Sequence, residues 1–170
     1  MKLKSWLLAA MFSFALTPFA MAESAEHLYH QGISYYKKGD AATAKLFNKI
    51  HKTDKSPFAE LYTTNSDIQK NYAQAFQFYK KACDKGHQVS CLNLGYMYAN
   101  NEGVQQNYTE AAKLFEKTCN NMVAQGCFNL GILYRTGTGV QQNLTYAKKY
   151  FERACDMKEE EACIAYSLMN

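Results

Sequence analysis

From residue 71 onward, apolar residues recur at the spacing of one helix face. In residues 71–83 they occupy positions i, i+3, i+4 and i+7 of such a face. The residues on this face are Tyr72, Ala75, Phe76, Tyr79, Ala82 and Cys83. The same spacing returns in residues 107–119 and 143–155. The pattern predicts three amphipathic helices, each with one buried face.

A second type of apolar segment follows the first two of these helices. In residues 91–98 and 127–134, apolar side chains surround a single glycine, Gly95 or Gly131. Glycine inside a helix costs about 1 kcal/mol relative to alanine. We therefore predict a helix in each segment and expect its glycine to lie where a neighbouring helix approaches closely. The expected facing residues are Ala75, Ala111 and Ala147.

Asparagines mark the expected starts of the amphipathic helices, at Asn71, Asn107 and Asn143. An asparagine side chain can accept a hydrogen bond from an early backbone N–H of the helix that follows. Gln74 and Glu110 stand at the position that completes a capping box. Glycine-rich loops that can adopt positive φ are expected to end the glycine helices.

The six cysteines reveal an internal repeat. They form three C-x7-C pairs, and each pair is displaced by 36 residues from the one before. The capping asparagine, an alanine and an aromatic residue of the amphipathic helix follow the same period. Repeated helix pairs that each bury one face against the next unit form an α-solenoid. The period therefore predicts an all-α solenoid.

Residues 1–22 have the features of a cleaved secretory signal peptide. Lys2 and Lys4 precede a short apolar run, and small residues lie at the third and first positions before Glu23. No second apolar stretch of that length follows. We therefore expect a soluble bacterial protein, periplasmic or secreted, without stable membrane insertion after cleavage.

Charge adds little to this picture once the signal peptide is removed. Without Lys2 and Lys4, the 17 remaining basic residues nearly balance the 15 acidic ones. A protein that binds nucleic acid needs a concentrated basic face to neutralise phosphates. No such face stands out, so we predict no nucleic-acid partner.

The repeated motifs resemble a known family. L-G-x-x-Y in the glycine helix, the G-V-Q-Q-N loop and A-x-x-x-F in the amphipathic helix resemble Sel1-like repeats, which are relatives of the tetratricopeptide repeat. The C-x7-C pairs further resemble the Helicobacter cysteine-rich protein family. The resemblance implies a right-handed superhelix of α/α hairpins, stapled by disulfides within the repeats. Upstream, the chain resembles one ordinary tetratricopeptide repeat with a tight turn at Gly39-Asp40.

These resemblances divide the chain into a signal peptide, a tetratricopeptide-like repeat, a short helix with a loop, two Sel1-like repeats and a partial C-terminal repeat that serves as a cap. In that order, the predicted boundaries are 1–22, 23–55, 56–70, 71–106, 107–142 and 143–170.

Six cysteines allow fifteen pairings in principle. The repeat favours one of them, because each C-x7-C pair lies across its own short turn. The predicted disulfides are Cys83–Cys91, Cys119–Cys127 and Cys155–Cys163. Each closes a small loop and is expected to stabilise the fold by about 2 to 3 kcal/mol. Met122 and Lys158 replace Gly86 in these turns, so the three turns need not share one conformation.

By resemblance to tetratricopeptide repeats, the helix that carries L-G-x-x-Y lines a concave face. The residues expected to point inward are Tyr29, Ile33, Tyr36, Lys37, Leu92, Tyr96, Asn100, Phe128, Ile132 and Arg135. Aromatic side chains beside a few charges suit a recognition groove for a protein or peptide partner. Alternatively, several of them, Leu92 and Phe128 especially, pack between repeats. The oligomeric state is left open.

Catalytic candidates are fewer. Resemblance to the Helicobacter cysteine-rich family implies penicillin binding or weak β-lactam hydrolysis, and Ser34-x-x-Lys37 matches the S-x-x-K motif of such enzymes. Lys37 also fills an ordinary tetratricopeptide position, so an interaction scaffold is the favoured prediction and the enzyme is the alternative. His27 and His30 share a helix face without an evident third ligand, and we predict no metal and no cofactor.

Overall fold

The computed structural model describes the backbone of residues 23–50 and 58–169. The predicted signal peptide, residues 1–22, lies outside the described residues. Helices are the regular structure of these ranges, and the described residues contain no strand. The helices are α1 (Ala25–Ile50), α2 (Phe58–Asp84), α3 (Gln88–Asn100), α4 (Tyr108–Asn120), α5 (Ala124–Thr136), α6 (Leu144–Asp156) and α7 (Glu160–Ser167).

Each helix makes its main contacts with the helices next to it in the sequence. Contacts between neighbours are the property that defines a solenoid, in which each unit buries its apolar face against the next. The buried residues accordingly form a series of clusters along the chain, from Ile68 and Tyr72 at one end to Phe151 and Ala165 at the other. The predicted all-α solenoid is confirmed.

The first helix pair differs from the prediction. The tight turn at Gly39-Asp40 is wrong, because α1 passes through it as continuous helix. A Cβ atom on Gly39 would lie 2.5 Å from the Tyr72 ring, so this glycine serves a close helix contact. The loop predicted to end the 56–70 segment is also wrong, because α2 runs through residues 68–71 without a break.

The continuity of α2 has a physical reason. Ile68 and Tyr72 keep the helical spacing of apolar residues and are 5% and 7% exposed, so the helix gains buried area by continuing. The segment also lacks a glycine such as Gly137, whose positive φ ends α5. Asn71 therefore lies inside α2 and does not cap a helix.

The other two predicted caps are confirmed. The Asn107 side chain accepts from the Glu110 backbone N–H at 3.1 Å, and Asn143 accepts from Tyr146 at 3.0 Å. The capping box at Glu110 does not form. The backbone N–H of Asn107 donates to the Tyr98 carbonyl instead, and the Glu110 carboxylate pairs with Lys113 at 2.7 Å.

The helix glycines lie at close contacts, as expected, but their partners are aromatic rings. A Cβ atom on Gly95 would lie 2.5 Å from the Phe115 ring, and one on Gly131 would lie 2.7 Å from the Phe151 ring. The predicted alanine partners are therefore wrong as the principal contacts, although the Ala147 carbonyl lies 3.3 Å from the Cβ position of Gly131. A flat aromatic ring fills the space left by the missing side chain of a glycine more completely than the methyl group of an alanine would.

All three predicted disulfides are present. The Cα–Cα distances are 4.8 Å for Cys83–Cys91 and 4.5 Å for both Cys119–Cys127 and Cys155–Cys163. The three turns share one conformation after all, because Met122 and Lys158 adopt φ values of 63° and 72°, close to the 89° of Gly86. In each turn the residue after the left-handed one donates to a carbonyl five positions earlier. This is the Schellman pattern that ends a helix.

Candidate functional site

An open cavity of about 170 Å³ lies on the face shared by α1, α2 and α3. Three tyrosines and two asparagines line it, namely Tyr36, Tyr79, Asn93, Tyr96 and Asn100. We call it the tyrosine cavity. It brings together three residues that were predicted to line a concave face, Tyr36, Tyr96 and Asn100. The side chains of Tyr79 and Asn93 complete it.

A carboxylate lies beside this cavity. The Tyr36 hydroxyl donates to Oε2 of Glu102 at 2.9 Å, and the Asn100 amide donates to Oε1 at 3.4 Å. Asp40 follows Tyr36 by one turn of α1, and its Oδ1 accepts from the Tyr72 hydroxyl at 2.8 Å. The rings of Tyr36 and Tyr72 are 5.2 Å apart. Two carboxylates and two tyrosines therefore form one connected group.

Burial raises the pKa values of the tyrosines and of Glu102 in this group. It raises the pKa of Tyr36 well above its usual range, and the hydrogen bond to Glu102 adds to the effect. Burial likewise raises the pKa of Tyr79 to about 12 and also raises that of Tyr96. Because the ordinary pKa of tyrosine is about 10, these tyrosines keep their protons even in moderately alkaline solution. Burial also raises the pKa of the half-buried Glu102, because water stabilises its charge less.

Asparagines accompany the tyrosines at repeated positions. The Asn129 amide donates to the Tyr96 hydroxyl at 2.7 Å, and Asn93, one repeat earlier, interacts with the Tyr79 hydroxyl. The sequence prediction missed both asparagines. Their recurrence in Cys-x-Asn-Leu-Gly at the 36-residue period is a signal that could have found them. Glu102 has no such signal, because Thr138 takes its place one repeat later.

Four of the predicted inward residues pack between helices. Leu92 is 5% exposed and belongs to the apolar cluster around Phe115. The Phe128 ring lies 5.7 Å from that of Phe151, and both Phe128 and Ile132 pack against the apolar cluster that contains Phe151. The Tyr29 ring packs against that of His87 at 4.4 Å. For Leu92 and Phe128 this arrangement corresponds to the predicted alternative.

The remaining predicted inward residues lie at the edges. Ile33 is partly buried against the first core cluster, and Lys37 is exposed on α1. The Arg135 guanidinium is exposed and lies 5.6 Å from the Phe151 ring. Arg135 also lines a separate shallow cavity near the end of α7, far along the solenoid from the tyrosine cavity.

The catalytic and metal candidates are not assembled into a site. Ser34 and Lys37 are both exposed on α1, and within the described ranges no hydrogen bond joins them. His27 contacts Gln31 at 2.8 Å, whereas His30 pairs with Glu26 at 3.1 Å. Among the described side chains, those of residues 23–45 and 65–169, no group of three or more His, Cys, Asp or Glu residues is arranged to hold a metal ion.

Comparison with known proteins gives the family. The model described as the Sel1 repeat matches residues 59–87, 88–121 and 124–159, more than half of the chain. The chain therefore belongs to the Sel1 repeat family. Sel1 repeats generally mediate protein–protein interactions. The matches begin at other positions than the predicted units, whose boundaries stay predictions. No curated protein sequence matches the chain.

Solved structures with a similar fold come from several bacteria. A protective antigen of uropathogenic Escherichia coli shares 22% identity and a TM-score of 0.63 over 86% of this chain and 26% of its own. A Sel1 repeat protein from Oxalobacter formigenes shares 28% identity and a TM-score of 0.56, over 81% and 58%. Helicobacter pylori cysteine rich protein B shares 28% identity and a TM-score of 0.53, over 82% and 94%.

The chain thus spans about a quarter of the E. coli antigen and just over half of the Oxalobacter protein. No helix in the described part of the chain is long and apolar enough to cross a membrane.

Proposed function

We propose that this protein is an exported bacterial scaffold that binds a protein segment or peptide on the concave face of its solenoid. The observation that carries the proposal is the tyrosine cavity, in which side chains from three helices converge on one open space. The general use of Sel1 repeats for protein–protein interaction supports it.

The chemistry of the cavity suits a polypeptide. An asparagine side chain offers both a donor and an acceptor, which is what a peptide group presents in return. Tyrosine provides a large rigid surface with a polar end at a low cost in conformational entropy. Asn93 and Asn100 supply the first kind of group, and Tyr36, Tyr79 and Tyr96 the second.

Export is supported by the cysteines. All six are paired in disulfides, and such bonds persist in oxidising compartments such as the periplasm or the cell exterior. The predicted signal peptide agrees with this location. Intact-mass spectrometry of the protein from the bacterial periplasm or medium tests both predictions, with an expected start at Glu23 and six hydrogens fewer than in the reduced chain.

Selection of random displayed peptides on the oxidised protein tests the groove. We expect the selected peptides to bind the double variant Tyr36→Ala, Tyr96→Ala at least about tenfold more weakly, since such anchor residues dominate binding energy. Tyr146→Ala is the matched control, because Tyr146 is 49% exposed but lies on α6. The control should bind the selected peptides as the wild type does. Equal binding by the wild type, the double variant and Tyr146→Ala would show that the groove assignment is wrong.

The alternative of β-lactam binding or hydrolysis rests on family resemblance. The exposed positions of Ser34 and Lys37 add no support to it. Incubation with a penicillin followed by mass spectrometry tests it. A covalent adduct that disappears in Ser34→Ala would favour the enzyme.

A further inference from the structure

The Glu102 carboxylate lies beside the tyrosine cavity, hydrogen-bonded to two of the residues that line it, and Asp40 lies one residue further along the same hydrogen-bonded and ring-packed group. The Glu102 carboxylate receives hydrogen bonds from Tyr36 and Asn100, and Asp40 receives one from Tyr72. Within residues 23–45 and 65–169, neither carboxylate forms an ion pair with a lysine, arginine or histidine. The half-buried Glu102, when ionised, is therefore poorly solvated and has no cationic partner within these described ranges.

We propose that the tyrosine cavity binds the cationic side chain of an arginine in the partner peptide. The inference rests on the proposed function, because it names the chemistry of the segment that the groove would hold. The aromatic faces of the cavity attract a cation through their quadrupoles, and the carboxylate at its edge supplies the opposite charge.

The size of the cavity fits one side chain. Sites for whole small molecules measure roughly 300 to 1,000 Å³. The tyrosine cavity, at about 170 Å³, is smaller and is open on one side. A side chain that extends from a peptide outside the cavity meets both conditions, whereas a free metabolite of larger size does not.

Arginine matches the arrangement of donors and acceptors. Its guanidinium is planar, stacks on aromatic rings and presents five donors in a fixed fork. An ionised carboxylate has about four acceptor positions. Tyr36 and Asn100 use two of those of Glu102, which leaves others for the ligand. The asparagine side-chain carbonyls can accept the remaining guanidinium donors.

The test is a nuclear magnetic resonance titration of the oxidised protein with three blocked pentapeptides. They are Ala-Ala-Xaa-Ala-Ala with arginine, citrulline or norleucine at the centre. Citrulline keeps the shape of arginine but is neutral. We expect the arginine peptide to shift the side-chain amide signals of Asn93 and Asn100, and the citrulline peptide to bind about tenfold more weakly.

Two variants of equal charge change sharpen the result. Glu102→Gln keeps an acceptor for Tyr36 but removes the negative charge, and should weaken arginine binding about tenfold. Glu110→Gln removes a carboxylate whose side chain is 41% exposed and paired with Lys113 on α4, and should leave arginine binding within about twofold.

Stability separates a binding role for Glu102 from a structural one. Because burial raises its pKa, the ionised form lowers the stability of the folded state at neutral pH. We therefore expect Glu102→Gln to unfold at a temperature no lower than that of the wild type, although it binds arginine poorly. If Glu102→Gln both bound arginine poorly and unfolded at a lower temperature than the wild type, the binding role of Glu102 would be wrong.

The outcomes distinguish this inference from the proposed function. Equal binding of the arginine and citrulline peptides at Asn93 and Asn100 would overturn the cation site and leave the groove in place. The absence of any shift at these residues with the arginine peptide would also overturn the cation site. The selection of displayed peptides, which depends on no particular side chain, decides separately whether the groove binds peptides at all.

Discussion

The N-terminal hairpin of α1 and α2 and the repeats from α3 to α7 hold their helices together by different means. The hairpin helices are 26 and 27 residues long, and Gly32 and Gly39 of α1 seat the rings of Tyr79 and Tyr72. The helices α3 to α6 have 13 residues each, and disulfides across the turns join α2 to α3, α4 to α5 and α6 to α7. Long helices gain enough buried surface to pair without a covalent bond, whereas short ones depend on the bridge.

Removal of the central bridge should have the largest effect on this comparison. The double variant Cys119→Ala, Cys127→Ala is expected to lose about 2 to 3 kcal/mol of unfolding free energy, because the unfolded chain is no longer restrained. Urea unfolding followed by circular dichroism measures the loss. Hydrogen exchange should show that amides of α4 and α5 lose more protection than those of α1. Equal loss in both regions would contradict the idea that only the repeats depend on their bridges.

Substitution of the helix glycines tests the packing that the two regions share. Gly32→Ala would bring a Cβ atom to 2.5 Å from the Tyr79 ring, and Gly131→Ala would bring one to 2.7 Å from Phe151. Each should cost about 1 to 3 kcal/mol, because the ring must move. Thermal unfolding measures the cost, and Phe151→Leu in the Gly131→Ala background should recover part of it. A substitution that stabilises either region would show that its ring yields easily.

Alkaline pH should weaken the hairpin more than the repeats. Burial raises the pKa of Tyr72 and of Tyr79 to about 12, against an ordinary value of 10. The folded state therefore keeps protons that the unfolded state has lost, and stability is full below pH 10 and falls as pH rises towards 12. We expect a loss of about 1 to 2 kcal/mol between pH 9 and 11.5. Urea unfolding at the two values measures it, and Tyr79→Phe should reduce the loss.

The smallest expected effect concerns the three turns that the disulfides bridge. No such bridge joins α1 to α2 in the described part of the hairpin. Met122 and Lys158 adopt positive φ, a conformation that costs a side chain more than it costs glycine. Met122→Gly and Lys158→Gly should each stabilise the protein by about 0.5 to 1 kcal/mol, a shift of a few degrees in unfolding temperature. Gly86→Ala is the reverse control and should destabilise by a similar amount. No change in any of the three would show that the turns relax freely.

The candidate site could be predicted only in part. By resemblance to tetratricopeptide repeats, counting from the helix glycine placed Tyr36, Tyr96 and Asn100 on the inward face, and in the structure all three line the tyrosine cavity. The same counting also placed Leu92 and Phe128 on that face, although the structure buries Leu92 and packs Phe128 against Phe151. Spacing along one helix cannot show whether a neighbouring helix covers a side chain.

The sequence by itself determined the repeat, the pairing of its cysteines and the caps at Asn107 and Asn143. These features depend on short separations, eight residues within a cysteine pair and three within a cap, so local geometry is sufficient. Only the tertiary structure decided that α2 is continuous, that rings cover the helix glycines and that Glu102 meets Tyr36 across 66 residues. The physical reason is that these contacts depend on how helices cross, and the crossing is settled by the joint packing of all their side chains.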